Sequence, residues 1–313
     1  MDKKIIDEIV WWIPFKKWRG PIRYFLEDVS RLLNTEFYTK DEIMNMFRRV
    51  TPRIKFHRVE IHLVEHCNLN CQSCTHFSQI AEKEFLDIEI FKKDIKQLSS
   101  LTNGNIERIR LMGGEPLLHP NCPDFFTMSR KYFKDSEIQL VTNAVLLVNK
   151  DDNFWKSLKE NNIVIEATKY PIKIDWDKII ELCNNYNVKI NVSNGEGKDI
   201  IKTSYKYTID VDGKQDALES FVTCWFANSC PSLKNGKLFT CPIACYINHF
   251  NKFFGKNIPT TENDYIDIHK ANSYDELLNF IAKPIPLCKY CDIKNRKYEI
   301  PWKTSSKNID EYI

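Results

Sequence analysis

The chain has 313 residues, 45 of them basic and 42 acidic, for a formal net charge of +3. Hydrophobic residues make up 43 % and aromatics 12 %, which excludes global disorder and allows one large α/β domain or one of about 200 residues with a smaller companion. The even charge offers no basic face for nucleic acid, no apolar run reaches membrane-span length, and no apolar stretch of signal-peptide type opens the chain, so a cytoplasmic protein is expected.

Residues 1–52 form an N-terminal helical segment rich in aromatic and basic side chains, including Trp11, Trp12, Lys16, Lys17, Trp18 and Arg19. Helices should flank Pro14 and Pro21, and Asp41 is the expected N-cap of a helix over 42–49. If Pro14 only kinks its helix, Trp11 and Trp18 share one face. A basic, tryptophan-bearing stretch at 8–25 suits an anionic membrane surface at the inner face. Packing on the main domain as a lid is the alternative.

A βα rhythm fills 53–214. Val59, Ile61 and Leu63 alternate as a strand running into Cys67. A helix over 87–101 and a strand over 107–112 follow, then a helix over 123–133, a strand over 137–142 and a helix over 151–160. A strand over 162–167, a helix over 175–186 and a strand over 187–193 continue the series, and a weaker strand over 205–211 is the expected sixth. Such alternation predicts an α/β fold with a parallel sheet, open or curved into a partial barrel, and with its site after the strand C-termini. Beyond 215 the rhythm stops. A smaller second domain is expected over 215–293, with one helix near 273–282, and a partly ordered Lys-rich tail over 294–313.

Eleven cysteines are many for a reducing compartment, where clustered thiols bind metal. Cys122 and Cys183 stand alone in apolar surroundings and read as small buried hydrophobes. Cys67, Cys71 and Cys74 put three thiolates within eight residues, enough to hold a 4Fe-4S cluster with one iron left open. A zinc site would need a fourth ligand, for which His66 or His76 is at hand. Further on, Asn235-Gly236 is a hairpin signal that sets Leu233 against Leu238 and Cys230 against Cys241, roughly 5 Å apart. Cys288 and Cys291 offer a second pair, with Cys224 and Cys245 as further candidates. Four thiolates in two pairs would also suit zinc.

The Cys-x3-Cys-x2-Cys loop after the first strand, followed by Gly113-Gly114-Glu115-Pro116 after the second, resembles the radical S-adenosylmethionine (SAM) superfamily. The resemblance implies a partial (β/α)6 TIM-like barrel over 53–214 and an iron open to the amino and carboxylate groups of SAM. It further implies that Gly113, Gly114 and Glu115 face the SAM amino group, the glycines allowing close approach. Thr142 and Asn143 would contact ribose or carboxylate, with Glu166 or Thr168 doing the same from the fourth strand. The family's usual aromatic residue before the third cysteine is here Ser73, so Phe77 or His76 takes its place against the adenine. The cysteine hairpin with a later Cys-x-x-Cys resembles the superfamily's SPASM and twitch extensions. That implies one auxiliary [4Fe-4S] cluster on Cys230, Cys241, Cys288 and Cys291, or with Cys224 in place of Cys230. The N-terminal run also looks like leader segments of some bacterial surface-polysaccharide enzymes.

By this resemblance the chain is an oxidoreductase or isomerase that cleaves SAM reductively, with electrons from a reductant such as flavodoxin or ferredoxin. The expected substrate is a sugar, sugar nucleotide or aminocyclitol, oxidised if the auxiliary cluster takes an electron. It is epimerised if Cys245 or Cys224 returns a hydrogen atom. The competing readings are a ribosomal-peptide maturase, forming crosslinks or epimers, and a non-catalytic Fe–S or zinc scaffold. Fifty N-terminal residues are too few for the winged-helix domain common in such maturases.

Overall fold

The computed structural model describes residues 3–14, 16–32, 39–193 and 202–313. Helices α1 (Lys3–Trp11), α2 (Lys16–Leu32) and α3 (Lys40–Val50) enclose a small core of Ile6, Ile9, Val10, Leu26 and Ile43. Helices flank Pro14 as expected, but α2 runs through Pro21. Since Pro14 separates α1 from α2, Trp11 and Trp18 do not share a helix. The cap of α3 is Thr39 rather than Asp41. Its hydroxyl accepts the Glu42 N–H at 3.3 Å, while the Glu42 carboxylate accepts the Thr39 N–H at 2.7 Å, a reciprocal capping box. Asp41 lies in the first turn, where the helix dipole favours it. The lid expectation also fails: Trp11, Trp12 and Trp18 are 68, 71 and 57 % exposed. Helix α3 ties the segment to the rest, with Met46 against Phe221, Val222 and Ala227, and Arg49 donating to the carbonyl of Val222 at 2.7 Å.

The βα series then runs β1 (Val59–Val64), α4 (Ile88–Thr102), β2 (Arg108–Gly113), α5 (Cys122–Tyr132), β3 (Glu137–Thr142), α6 (Asp152–Glu160), β4 (Ile163–Thr168), α7 (Trp176–Tyr186) and β5 (Ile190–Ser193). Asp87, Asp151 and Asp175 cap α4, α6 and α7 through their carboxylates, and Asn103 and Asn187 end α4 and α7 in the left-handed conformation. The remaining elements are β6 (Thr203–Ile209), α8 (Ala217–Val222), β7 (Ser232–Lys234), β8 (Lys237–Phe239), α9 (Pro242–Phe254), β9 (Tyr265–Asp267), α10 (Tyr274–Ile281) and β10 (Cys291–Pro301).

The main sheet has the order β5-β4-β3-β2-β1-β7-β8-β9, parallel from β5 to β7. This is the α/β fold with a parallel sheet that the rhythm predicts. The sixth parallel position, however, is taken by β7 beside β1, not by the strand expected over 205–211. That stretch, β6, pairs antiparallel with β10 instead. β7, β8 and β9 are hydrogen-bonded into the main sheet, so residue 215 is not a boundary of that sheet.

β1 is buried along its whole length, having a neighbour on each edge and apolar layers around it. Its core gathers Phe91, Phe125, Phe126, Trp155 and the strand side chains, with Cys122 and Cys183 buried among them as expected. A second core joins Phe77 and Ile80 to Phe239, Tyr246, Phe250 and Tyr312. Residues 294–313 are no loose tail. β10 crosses β6, the following residues bridge to Cys71, and Tyr312 is buried.

Candidate active site

The three thiols of the first loop lie at the C-terminal end of β1 and line one cavity with Gly113, Gly114, Thr142, Asn143, Thr168 and Tyr170. Cys67 Sγ accepts the Leu69 N–H at 3.3 Å and lies 3.8 Å from Asn143 Nδ2. Cys71 Sγ accepts the Trp302 indole N–H at 3.1 Å. Burial pushes the Cys74 thiol up to about 11 and those of Cys67 and Cys71 upward too, with repulsion from neighbouring thiols adding for Cys67 and Cys74. Buried thiols that ionise reluctantly in each other's company fit a site where bound iron replaces the protons.

The Gly-Gly pair, which lines this cavity, is also required by the fold itself. A Cβ on Gly113 would stand 2.1 Å from Val64 O, and one on Gly114 2.1 Å from His66 O. Gly113 also has φ +145°, which side-chain-bearing residues rarely adopt. The bare backbone lets the end of β2 close on the end of β1, where Gly114 N–H donates to Val64 O at 2.8 Å. That contact aims the cysteine loop.

Glu115 is fully buried, with its carboxylate taken up by the chain itself. It accepts from Thr142 Oγ1 at 2.7 Å, Asn143 N–H at 2.9 Å and Leu117 N–H at 3.1 Å. Burial outweighs these bonds and pushes its carboxyl up to about 7. It clamps β2 to β3, and so holds Asn143 where its amide meets Asn68 Oδ1 at 2.6 Å. Of the fourth-strand pair, Thr168 faces the cavity, whereas Glu166 accepts from Gln139 and Asn191 along the sheet. Phe77 is corrected outright: it is 1 % exposed and packs into the second core against Phe250 and Tyr312. His76, the other expectation, lines the cavity.

The hairpin forms as expected, Leu233 opposite Leu238. Its ladder stops at Ser232 and Phe239, however, and Cys241 turns away to become the N-cap of α9. Cys241 therefore meets Cys224, Cys288 and Cys291, while Cys230 is buried beside Arg58 and Glu60. Cys224, Cys241, Cys288 and Cys291 thus lie within electrostatic reach of one another, the arrangement expected with Cys224 in place of Cys230. Burial pushes the Cys291 thiol up to about 12, and those of Cys241 and Cys288 rise likewise. Arg296 hydrogen-bonds Cys291 and opposes that shift. Among the described residues no three His, Cys, Asp or Glu stand close enough to hold a single ion. Cys245, expected as a hydrogen donor, is sealed beneath Tyr246 and borders none of the cavities beside the first cysteine loop.

Two features had no local signal. His62, in mid-β1, contacts His76 through its Nε2 at 2.7 Å and stacks on Tyr246 at 3.8 Å between ring centres. Glu65 beside it pairs with Lys234 at 2.9 Å and His249 at 2.8 Å; burial alone would raise its carboxyl, but these partners hold it well below the usual range. Only the polar residues at alternate positions of β1 hint at the cluster. The contact of Trp302 with Cys71 spans 231 residues and is invisible locally.

Residues 61–193 match the profile of the Radical SAM superfamily. The chain is 29 % identical over 174 residues to the GTP 3′,8-cyclase of Clostridium perfringens strain SM101, covering 49 % of this chain and 53 % of that protein. It is 36 % identical over 92 residues to the GTP 3′,8-cyclase of Aliarcobacter butzleri, 28 % of each. The chain thus spans about half, or less, of the length of these curated relatives. Among solved structures, BtrN in complex with AdoMet and 2-DOIA aligns over 77 % of this chain and 94 % of that one at 19 % identity, with TM-score 0.49. SuiB of Streptococcus suis bound to precursor peptide SuiA aligns over 86 and 82 % at 13 % identity, with TM-score 0.36. Residues 61–193, carrying the three-cysteine loop and the Gly-Gly-Glu turn, form a radical SAM domain, whose cofactors are S-adenosylmethionine and a [4Fe-4S] cluster.

Proposed function

We propose that this radical SAM enzyme oxidises a carbon of a sugar, sugar nucleotide or aminocyclitol, with an auxiliary [4Fe-4S] cluster as electron acceptor. When bound, the reduced first cluster and SAM supply a 5′-deoxyadenosyl radical that takes a hydrogen atom from substrate. Cys67, Cys71 and Cys74 would hold that cluster, with Asn143 and Thr168 orienting SAM in the shared cavity. Electrons for it would come from a flavodoxin or ferredoxin.

The observation carrying the oxidation reading is the approach of Cys224, Cys241 and the Cys288–Cys291 pair from three separate stretches of the chain. Cys224, Cys288 and Cys291 each push the Cys241 thiol further up, so the four lie within electrostatic reach of one another. Epimerisation loses its donors, since Cys245 is sealed and Cys224 sits in the thiol group. We also propose that the exposed tryptophans at the α1–α2 turn rest on an anionic membrane face, although no described helix is long and apolar enough to cross a membrane.

Iron counting tests the core of this. Anaerobically reconstituted protein should hold close to eight irons, and Cys230→Ala should keep them. Cys224→Ala should fall to about four while still forming 5′-deoxyadenosine, and Cys71→Ala should form none. Four irons and one zinc in the parent protein would remove the electron acceptor and with it the oxidation.

A further inference from the structure

β10 begins at Cys291 of the second thiol group, and directly after its end at Pro301 the chain passes over the first cysteine loop. Trp302 N–H donates to Lys202 O at 2.8 Å, Gln72 N–H to Lys303 O at 3.0 Å and Ser305 N–H to Asn70 O at 2.7 Å. Ser73 Oγ donates to Glu311 O at 2.8 Å, and the Glu311 carboxylate is itself held by the hydroxyls of Ser305 and Ser306 at 2.6 and 2.8 Å. This strap pins Asn70 to Ser73 from outside. It also brings one side chain to a thiol, the indole of Trp302, whose N–H lies 3.1 Å from Cys71 Sγ. Tyr170 stands edge-on to that indole at 5.7 Å between ring centres and lines the cavity with Cys71, its hydroxyl favouring negative charge on the same sulfur.

An indole N–H can only donate. The contact therefore has one sense, with sulfur accepting, and it favours negative charge on Cys71. A cluster gains one negative charge on reduction, and hydrogen bonds to its sulfurs stabilise the reduced form. We propose that Trp302, assisted by Tyr170, is a positioning residue that raises the reduction potential of the cluster bound through Cys71. The C-terminal strap then sets how easily the first cluster accepts its electron, through a strand that begins at Cys291 of the second thiol group. This rests on the first cluster alone and not on the choice of substrate.

Potentiometric titration followed by electron paramagnetic resonance tests it in the two-cluster protein, the first cluster being the one whose signal SAM alters. Trp302→Phe keeps an aromatic ring and loses the donor. Its midpoint should become more negative, so that the reduced-to-oxidised ratio at a fixed poise falls roughly tenfold, about 59 mV for one electron. Tyr170→Phe should shift the same way, and Trp302→His, which retains an N–H, should recover part of the loss. Unchanged or more positive midpoints, with iron content intact, would overturn the proposal. If Trp302→Phe loses iron, the sign of the Tyr170→Phe shift decides. Failure of the oxidation reading would appear as a missing product and leave these midpoints where they are.

Discussion

Glu115 shows how a short motif conceals its reason. The sequence marks Gly113-Gly114-Glu115 as special, yet the contacts that make it so lie on β1 and β3, brought in by register. Its carboxyl sits against three donors with no acceptor beside it. Burial raises it from the usual 4.5 to about 7, so the folded chain holds this proton more tightly than the unfolded chain. Stability from this group is then fullest below about pH 4.5 and declines as pH rises through 7, by up to about 3 kcal/mol. Glu115→Gln removes the titration and turns an amide N–H toward a donor, costing about 1–3 kcal/mol. Denaturant titrations from pH 5 to 8 should show the parent protein losing stability relative to the variant. A parallel pair of curves would place the carboxyl outside this account. The cysteines divide in the same way: the spacing of Cys67, Cys71 and Cys74 foretold that they share one cavity, but the separation of Cys230 from Cys241 depends on where a ladder stops.

Elements with their own start and stop signals were legible. Asp87, Asp151 and Asp175 announce helices, and the strands between them are apolar because both faces are covered. β10 gave no such signal: its Lys-rich face is exposed, and a two-stranded ribbon needs no apolar run. β6 looked like a barrel strand because its partner lies some eighty residues later. At the N-terminus, Pro14 makes a turn where a kink was expected. Arg19 donates to the carbonyls of Trp11 and Ile13 at 3.0 Å each, capping α1 and presenting Trp11 and Trp12 edge to face. Two exposed indoles with exposed Lys16 nearby suit the headgroup region, each cation adding about 1 kcal/mol at an anionic surface. The protein should co-sediment with anionic vesicles at low salt, and Trp11→Ala/Trp12→Ala should reduce the bound fraction several-fold. Equal partitioning of the two would leave the tryptophans without a lipid role.

In the whole molecule, the first cysteine loop is built between two cores. Its inner side follows β1 into the main core, while Phe77 and Ile80 anchor its outer side in the second, beside Tyr312. The strap over it is the last part of this arrangement to leave the ribosome. At about 5–20 residues per second, the 231 residues between Cys71 and Trp302 leave the loop uncovered for on the order of 10 to 50 s. A finished apo-protein has no such interval, and the strap over the loop is then expected to slow the entry of iron. Reconstitution of folded apo-protein should therefore quicken in low urea, followed by iron–sulfur absorbance. Glu311→Ala, which frees the strap from Ser305 and Ser306, should load fast without urea. If both load at the parent's rate, the strap is no barrier. Otherwise the timing of synthesis decides when metal enters, and protein made faster than iron and sulfide are supplied will accumulate closed and empty.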